Sequence, residues 1–257
     1  MVNCTDSALK GTSKAAKTVL IRFTLIGCPA GYFQDFKTGI SQTWRSGNGF
    51  HPVSYALLQQ IKEAKLQREA EQRQKHAEAA EKARYIWSQS KPIAEQSEHA
   101  YLVNKRIQPH GARLRGDALV IPIFNEQDQL VNLQFINPHG EKRFLSGGRK
   151  KGCFHILGDL SERLLICEGV STGASLYEES GQRVVIAFDA GNLLPVAKNV
   201  RELSPNSEII ICGDNDLSGV GQTRAREAAL SIGGKVLIPK ISGTDWNDVI
   251  SGGRHNG

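Results

Sequence analysis

Two short runs of branched apolar residues, each followed by carboxylates, constrain this chain more than any other feature. Residues 164–167 precede Glu168, and residues 209–212 come shortly before Asp214 and Asp216. Short apolar runs of this kind are typical of strands buried on both faces of a parallel sheet. Because ligands of such sheets bind at the carboxyl ends of the strands, we expect the three acids to meet at one edge.

The three acids are hard oxygen ligands of the kind that Mg²⁺ or Mn²⁺ prefers. Divalent ions held in this way can stabilise the attacking and leaving oxygens of phosphoryl transfer. Asp245 and Asp248 follow the next predicted strand and are two further candidate ligands. For any single acid, capping of the following helix is the alternative role. Together, however, their mutual repulsion requires a cation or a proton, which favours a metal site.

Composition excludes several classes of protein. The 257 residues contain no run of 18 apolar residues and no clear secretory signal, so a membrane protein is not expected. The five cysteines form no C-x-x-C pair, which predicts no zinc site in this chain and is typical of the reducing cytoplasm. Cys167 and Cys212 lie within the predicted strands, where they are expected to pack in the core.

From residue 163 onward the pattern alternates between strand and helix. The predicted strands and helices are, in order, 164–167, 171–180, 184–188, 193–203, 209–212, 219–232 and 235–238, with a last helix starting near Trp246. This order predicts an α/β fold with a parallel sheet and flanking helices over residues 161–257. Asp189 ends the second strand and is expected to cap the helix that follows it.

Three regions precede this predicted α/β domain. Residues 1–50 are interpreted as a small β-rich module with a disordered start and a meander at 21–36, and residues 51–96 as a long polar helical connector. From Gln59 to Arg84 strong helix formers dominate with little apolar stripe, so we expect a solvated helix. Residues 97–160 are predicted to form an α+β subdomain, in which Pro122 indicates an edge strand.

Charge is divided unevenly along the chain. Residues 99–158 carry nine Lys and Arg against four Asp and Glu, whereas residues 159–257 carry nine against 13. Five of these cations lie close together among glycines: Lys142, Arg143, Arg149, Lys150 and Lys151. A solvated loop is the simpler role for any one of them. As a cluster beside an acidic metal site, they favour a groove that binds template or nucleotide.

Three motifs, ICEGVSTGASL, CGDNDLSGVGQTRAREAA and ISGTDWNDV, resemble the Toprim domain of bacterial, plasmid and phage primases. In that family one Glu and an Asp-x-Asp pair coordinate Mg²⁺ or Mn²⁺, and the resemblance assigns these roles to Glu168, Asp214 and Asp216. TDWND resembles a further acidic motif of the plasmid and phage members, which implies that Asp245 and Asp248 lie near the metals. Topoisomerases, primases and some nucleases share Toprim, so it indicates metal chemistry more firmly than a reaction.

The segment before this domain narrows the choice. Residues 143–146, Arg-Phe-Leu-Ser, resemble a basic Lys-Tyr-Leu-Asn motif that precedes Toprim in bacterial replicative primases. The resemblance implies a nucleotidyltransferase, a DNA primase that makes short RNA primers from ribonucleoside triphosphates on a single-stranded DNA template. It also implies a role in bacterial, plasmid or phage DNA replication, and a replicative helicase as a further partner.

Two other functions stay open from the sequence. A Toprim nuclease would use the same metals to activate water, and a non-catalytic, replication-associated DNA-binding module would hold an ion only for its structure. The basic segment favours a primase over a nuclease. The complete set of acids favours either enzyme over a binding module.

Overall fold

The computed structural model describes residues 19–24, 30–35, 41–45, 55–94 and 97–253. The disordered start predicted for the first residues therefore falls outside the described part of the chain. The chain divides into two compact units, residues 1–68 and residues 69–257. None of the described helices is long and apolar enough to cross a membrane.

The described part of the first unit contains an antiparallel meander. Its strands are β1 (Val19–Thr24), β2 (Ala30–Asp35) and β3 (Ser41–Arg45), which pair in the order β1-β2-β3. The meander predicted at residues 21–36 is confirmed and continues into a third strand. Helix α1 (Tyr55–Gln89) follows and continues into the second unit.

Helix α1 is only partly the solvated connector that its composition predicts. Residues 60–75 are exposed, as expected. From Ala79 onward, small and apolar residues of the helix are buried: Ala79, Ala80, Ala83 and Ile86. Ala83 and Ile86 share a core cluster with Val120 and Leu133 of a following sheet. The prediction of a fully solvated helix is therefore wrong for its last turns, because alanine packs closely while contributing little apolar signal.

The middle sheet carries the basic segment. Its elements are β4 (Lys91–Pro92), α2 (Ala100–Lys105), β5 (Arg113–Arg115), β6 (Ala118–Phe124), β7 (Leu130–Ile136) and β8 (Lys142–Phe144). The five strands pair in chain order and are antiparallel throughout. This arrangement places β8, and with it Lys142 and Arg143, at one edge of the sheet.

Pro122 lies in a central strand, so the predicted edge strand is wrong. Its strand β6 pairs with β5 on one side and with β7 on the other. The pairing with β5 ends at Val120, whereas Pro122 is opposite Leu133 of β7. Proline lacks a backbone donor, and it is tolerated here because the short partner β5 has already ended.

The C-terminal sheet confirms the predicted α/β fold. Its elements in chain order are β9 (His155–Leu157), β10 (Arg163–Cys167), α3 (Val170–Ser180), β11 (Arg183–Ile186), α4 (Ala190–Leu203), β12 (Glu208–Cys212), α5 (Val220–Ile232), β13 (Lys235–Leu237) and α6 (Trp246–Gly253). The strand order is β13-β12-β10-β11-β9. All the pairs are parallel except that of β11 with β9.

Alternate residues of the central strands face two different cores. Leu165 and Cys167 of β10 pack in a cluster with residues of α3 and of the middle sheet, such as Leu119. Leu164 and Ile166 pack against α4 and α5. Because both faces of the strands are buried, polar side chains of this sheet concentrate beyond the strand ends.

The packing of α1 on the middle sheet is testable at Ala83, which is fully buried. We expect Ala83→Gln to lower the free energy of unfolding by about 2–3 kcal/mol, because a larger polar group enters a filled core. Ala70→Gln, at an exposed position of the same helix, is the control and should change stability by less than about 0.5 kcal/mol. Urea unfolding measures both. Equal stability of the two variants would contradict the packing described for the last turns of α1.

Candidate metal and nucleotide site

The register of the C-terminal sheet brings Glu168 and Asp214 to the same edge. Strands β10 and β12 are parallel neighbours, and Cys167 is opposite Cys212. Glu168 is the first residue after β10, and Asp214 is the second after β12. The convergence predicted from the two apolar runs is therefore present.

Gly221, in the first turn of α5, leaves space for two carboxylates. A Cβ at this position would lie 2.7 Å from Asp216 Oδ2, 2.9 Å from the Asp214 carbonyl oxygen and 3.1 Å from Glu168 Oε1. Glu168 and Asp216 therefore border the same space, and any side chain at residue 221 would fill it.

Asp216 is bound to the start of α5. Its Oδ2 accepts a hydrogen bond from the Gly221 backbone N–H at 2.6 Å, and its Oδ1 accepts one from the Ser218 hydroxyl. The Ser218 hydrogen bond is the largest cause that lowers the pKa of Asp216. Asp216 thus caps the helix, and it remains ionised while bordering the space beside Glu168.

Glu168 and Asp214 are half-buried and keep oxygens without a partner. Among the described residues, Glu168 Oε1 and Asp214 Oδ1 are out of contact with solvent and have no hydrogen-bond partner. Burial, followed by the charge of Asp214, raises the pKa of Glu168 to about 7. Burial, followed by the charges of Asp245 and Asp216, raises the pKa of Asp214 to about 6.

The acids of the TDWND motif lie at the start of α6 and bind each other's backbone. The Asp245 N–H donates to Asp248 Oδ2 at 3.1 Å, and the Asp248 N–H donates to Asp245 Oδ1 at 2.8 Å. Asp248 is exposed and lies 3.9 Å from Lys105 Nζ. Asp245 is half-buried and close enough to Asp214 to raise its pKa. Asp245 therefore caps α6 and also acts on the acidic site, whereas Asp248 holds the backbone of Asp245 and contributes less to the pKa of Asp214.

Two asparagines that the sequence analysis missed hold these loops. Asn247 is buried, and its amide donates to Ser175 Oγ and to the Lys105 carbonyl, both at 2.8 Å. The Asn215 amide donates to the Pro239 carbonyl at 2.8 Å, and its backbone N–H donates to Thr244 at 3.0 Å. The sequence offered one signal for them: each asparagine stands next to an acid, in DND and in WND, and its amide can donate to backbone carbonyls.

Lys142 is the member of the basic segment that reaches the acids. Its side chain extends from β8, and Nζ lies 4.0 Å from the position that a Cβ on Gly169 would take. Loss of solvent around the ammonium lowers the pKa of Lys142, while Asp245 and Asp214 act in the opposite direction. The middle sheet thus contributes a cation to an acidic edge formed by the C-terminal sheet.

The other four basic residues have different surroundings. Arg143 and Lys151 are exposed. Arg149 Nη2 donates to both oxygens of Glu126, at 2.8 and 3.1 Å. Lys150 forms an ion pair with Asp189, which caps α4 as predicted by accepting from the Asn192 N–H at 2.9 Å. The basic segment is therefore not one patch, because Arg149 is committed to a separate ion pair.

The donor set of the acidic edge fits a divalent cation. Glu168 and Asp214 have raised pKa values, and each has one buried oxygen without a hydrogen-bond partner among the described residues. A hard cation would stabilise both carboxylates. Within the described ranges, no three His, Cys, Asp or Glu side chains are already gathered closely enough to hold an ion. Glu168, Asp214 and Asp216 are the residues that would hold it. The described cysteines, Cys153, Cys167 and Cys212, are free and buried.

Comparison with known proteins agrees with this geometry. Residues 163–254 match the Toprim domain family, which confirms the resemblance carried by the three sequence motifs. The matched range contains all five acidic candidates and excludes the basic segment. The part of the chain from β10 to α6 is thus a Toprim domain.

The chain is also similar to primases beyond this domain. Two proteins of Escherichia coli, both named DNA primase TraC, are 34% identical to it over 247 and 237 residues. These alignments cover 90% and 84% of this chain, but 23% and 16% of the relatives. The chain therefore spans less than a quarter of the length of the relatives that it matches.

A solved structure shares the fold. The DnaG primase catalytic domain bound to ssDNA has a TM-score of 0.50 with this chain at 13% sequence identity. The alignment covers 71% of this chain and 76% of that one. At this identity the likeness concerns the fold alone.

Gly221→Ala tests the space between the carboxylates. The added methyl would meet Asp216 Oδ2 and the Asp214 carbonyl, so we expect Mn²⁺ affinity to fall by about tenfold or more through displaced ligands. Stability should also fall, because the 2.9 Å approach to the Asp214 backbone carbonyl forces the backbone to shift, so thermal unfolding must show that the variant is folded. Gly252→Ala, in α6 with open space around it, is the matched control. Calorimetric Mn²⁺ titration of both variants measures the effect, and equal affinity would contradict the assigned site.

Glu168→Gln tests the cost of the half-buried charge. The pKa of Glu168 is raised in the folded protein, so its ionisation destabilises the fold above pH 7, and this cost disappears below about pH 4.5. Without metal, we expect the variant to be more stable than the parent at pH 8 by about 1–2 kcal/mol, less than the full shift because the group is partly solvated. The gain should vanish at pH 4.5.

Thermal unfolding in the presence of a chelator measures this difference. Glu202→Gln, at an exposed position of α4, is the control and should give no gain at either pH. A Glu168→Gln variant that is less stable than the parent at pH 8 would show that the carboxylate is stabilised by contacts and not strained by burial.

Proposed function

We propose that this chain contains the catalytic core of a DNA primase, a nucleotidyltransferase that makes short RNA primers from ribonucleoside triphosphates on a single-stranded DNA template. The observation that carries this proposal is the position of Lys142, from the middle sheet: its Nζ lies 4.0 Å from the place of a Cβ on Gly169, the residue after Glu168, and the charges of Asp214 and Asp245 act on it. A cation beside carboxylates with unpartnered oxygens suits a metal-bound triphosphate. The 34% identity to the two TraC primases supports the same reaction.

Glu168, Asp214 and Asp216 would hold Mg²⁺ or Mn²⁺, with Asp245 close by. When bound, two such ions supply positive charge to the attacking 3′-hydroxyl, the leaving pyrophosphate and the phosphate between them. Glu168 would either complete the metal coordination or act as general base, since its pKa of about 7 lies near the operating pH. Asp216 stays ionised because its hydrogen bonds lower its pKa.

Lys142 would bind the triphosphate. Its ammonium lies beside Gly169 at the acidic edge, where it could donate to a phosphate oxygen. The exposed Arg143 and Lys151 would contact phosphates of the template strand. A replicative helicase is a further partner under this proposal, in the replication of bacterial, plasmid or phage DNA.

A primer-synthesis assay tests the proposal. With single-stranded DNA of varied sequence, labelled ribonucleotides and Mg²⁺, the protein should make short RNA products. We expect Glu168→Gln and Asp216→Asn each to reduce synthesis to the background of the assay, because each removes a charged metal ligand. Glu202→Gln, on an exposed helix face, should leave synthesis unchanged.

Three outcomes would overturn the proposal. Full activity of Glu168→Gln or Asp216→Asn would exclude their assigned roles. Cleavage of labelled single-stranded DNA without nucleotide incorporation would identify a Toprim nuclease. Absence of nucleotide binding and turnover throughout a Mn²⁺ titration would leave a binding module.

A further inference from the structure

Lys150 is held beside the acidic edge by two groups. Its ammonium pairs with the Asp189 carboxylate and lies 5.0 Å from the centroid of the Phe144 ring. Phe144 in turn packs edge to face against Phe188, with ring centroids 6.0 Å apart. The Lys150 side chain is still 39% exposed. Its neighbours therefore hold it in place without burying it.

The backbone at Lys150 is fixed to the Toprim domain by one buried amide. Asn192 Nδ2 donates to the carbonyls of Lys150, Cys153 and Ala187, at 3.1, 3.0 and 2.8 Å. Its Oδ1 accepts from the Gly152 N–H at 2.8 Å. Both N–H groups of the amide are therefore used, and one of them is shared between two carbonyls. The loop that carries Lys150 is thus attached to the first turn of α4, the helix that Asp189 caps.

The backbone next to this pair is unusual. Phe188 has a φ of 72°, which is uncommon for a bulky residue and costs about 1–3 kcal/mol. The cap that Asp189 forms on α4 and the burial of Phe188 offset part of this cost. An ion pair as exposed as that of Asp189 with Lys150 contributes only about 0–1 kcal/mol to folding. The pair itself therefore adds little to stability, and strained backbone of this kind is concentrated at functional sites.

Asp189 and Lys150 lie at the same edge as the metal candidates. Strand β11, which precedes Asp189, is the parallel neighbour of β10, which precedes Glu168. The Ala187 N–H donates to the Cys167 carbonyl at 2.8 Å, so the two chains are still paired one residue before Glu168. Asp189 and Glu168 therefore follow the carboxyl ends of adjacent parallel strands, so a ligand held at Glu168 would lie at the edge that carries the Asp189–Lys150 pair.

We propose that Asp189 is a positioning residue that holds Lys150 so that its free N–H groups bind the phosphates of the incoming ribonucleoside triphosphate. A lysine ammonium has three donors, so it can keep its bond to Asp189 and donate to a phosphate at the same time. Asp189 touches neither metal nor nucleotide and acts through Lys150. This inference rests on the proposed function, because it needs a triphosphate at the acidic edge.

A double-mutant cycle on the intact chain tests the pair. We would measure equilibrium binding of GTP and ATP with Mg²⁺ to the parent, Lys150→Met, Asp189→Asn and the double variant. Lys150→Met should bind about tenfold more weakly, as expected for the loss of one charge-assisted hydrogen bond. Asp189→Asn retains the oxygen that caps α4 and should bind about threefold more weakly. The double variant should be no weaker than Lys150→Met, because Asp189 acts through the lysine.

Two controls separate positioning from general effects. Lys198→Met removes a charge from an exposed position of α4 and should bind nucleotide like the parent. Lys150→Arg keeps the cation and should recover most of the affinity, while thermal unfolding confirms that each variant is folded. In primer synthesis, Lys150→Met should raise KM for nucleotide more than it lowers kcat. Binding of single-stranded DNA should be unchanged, which distinguishes nucleotide phosphates from template phosphates.

Several results would overturn the inference. Parent-like nucleotide binding by Lys150→Met, additive losses in the double variant, tighter binding by Asp189→Asn, or a loss confined to DNA binding would each contradict it. Failure of the parent to bind nucleotide would do the same. If the parent binds nucleotide through Lys150 but makes no primer, the proposed function fails and the role of the pair stands. If it makes primers and their synthesis does not depend on Lys150, the proposed function stands and the role of the pair fails.

Discussion

The site depends on one constraint: two carboxylates at the ends of adjacent parallel strands are partly withdrawn from water. After Arg163 and Glu208 at their amino ends, strands β10 and β12 are buried on both faces, so their next charged side chains come at the carboxyl edge, where register places Glu168 and Asp214 together. Burial and mutual repulsion raise both pKa values. Around these carboxylates, Gly221 allows Glu168 and Asp216 to come close to the first turn of α5, and Lys142 approaches from the neighbouring sheet.

A shared hydrophobic core makes this approach possible. One cluster of buried side chains contains Leu119 and Ile121 from the middle sheet together with Leu165 and Ile186 from the C-terminal sheet. The two sheets therefore pack as parts of one unit, and the edge strand β8 has a fixed position beside the acids. Lys142 is presented by this packing before any ligand arrives. A site organised in advance in this way loses less free energy to ordering when a nucleotide binds.

Sequence patterns predicted the elements that show apolar periodicity. They failed where the packing depends on small residues or on one polar side chain. The branched runs before Glu168 and Asp214 predicted the parallel sheet and the acidic edge. The last turns of α1 were missed because Ala83 packs by close approach and adds little hydrophobic signal. Pro122 was assigned to an edge because sequence does not show that its partner strand ends early. Asn192 was missed because one amide within a helix has no periodic pattern.

Neutral amides hold the loops around the acidic edge, and this affects the charged groups there. Asn192, Asn215 and Asn247 bind backbone carbonyls from distant segments, and they do so without using an ionisable side chain. Had these loops been fixed by ion pairs, an arriving cation or triphosphate would compete for the same charges and loosen the loops as it bound. Because amides carry this structural role, the unpartnered oxygens of Glu168 and Asp214 stay available to a ligand. The Lys150–Asp189 pair departs from this rule, because Asp189 caps α4 and also engages a cation beside the strained backbone of Phe188.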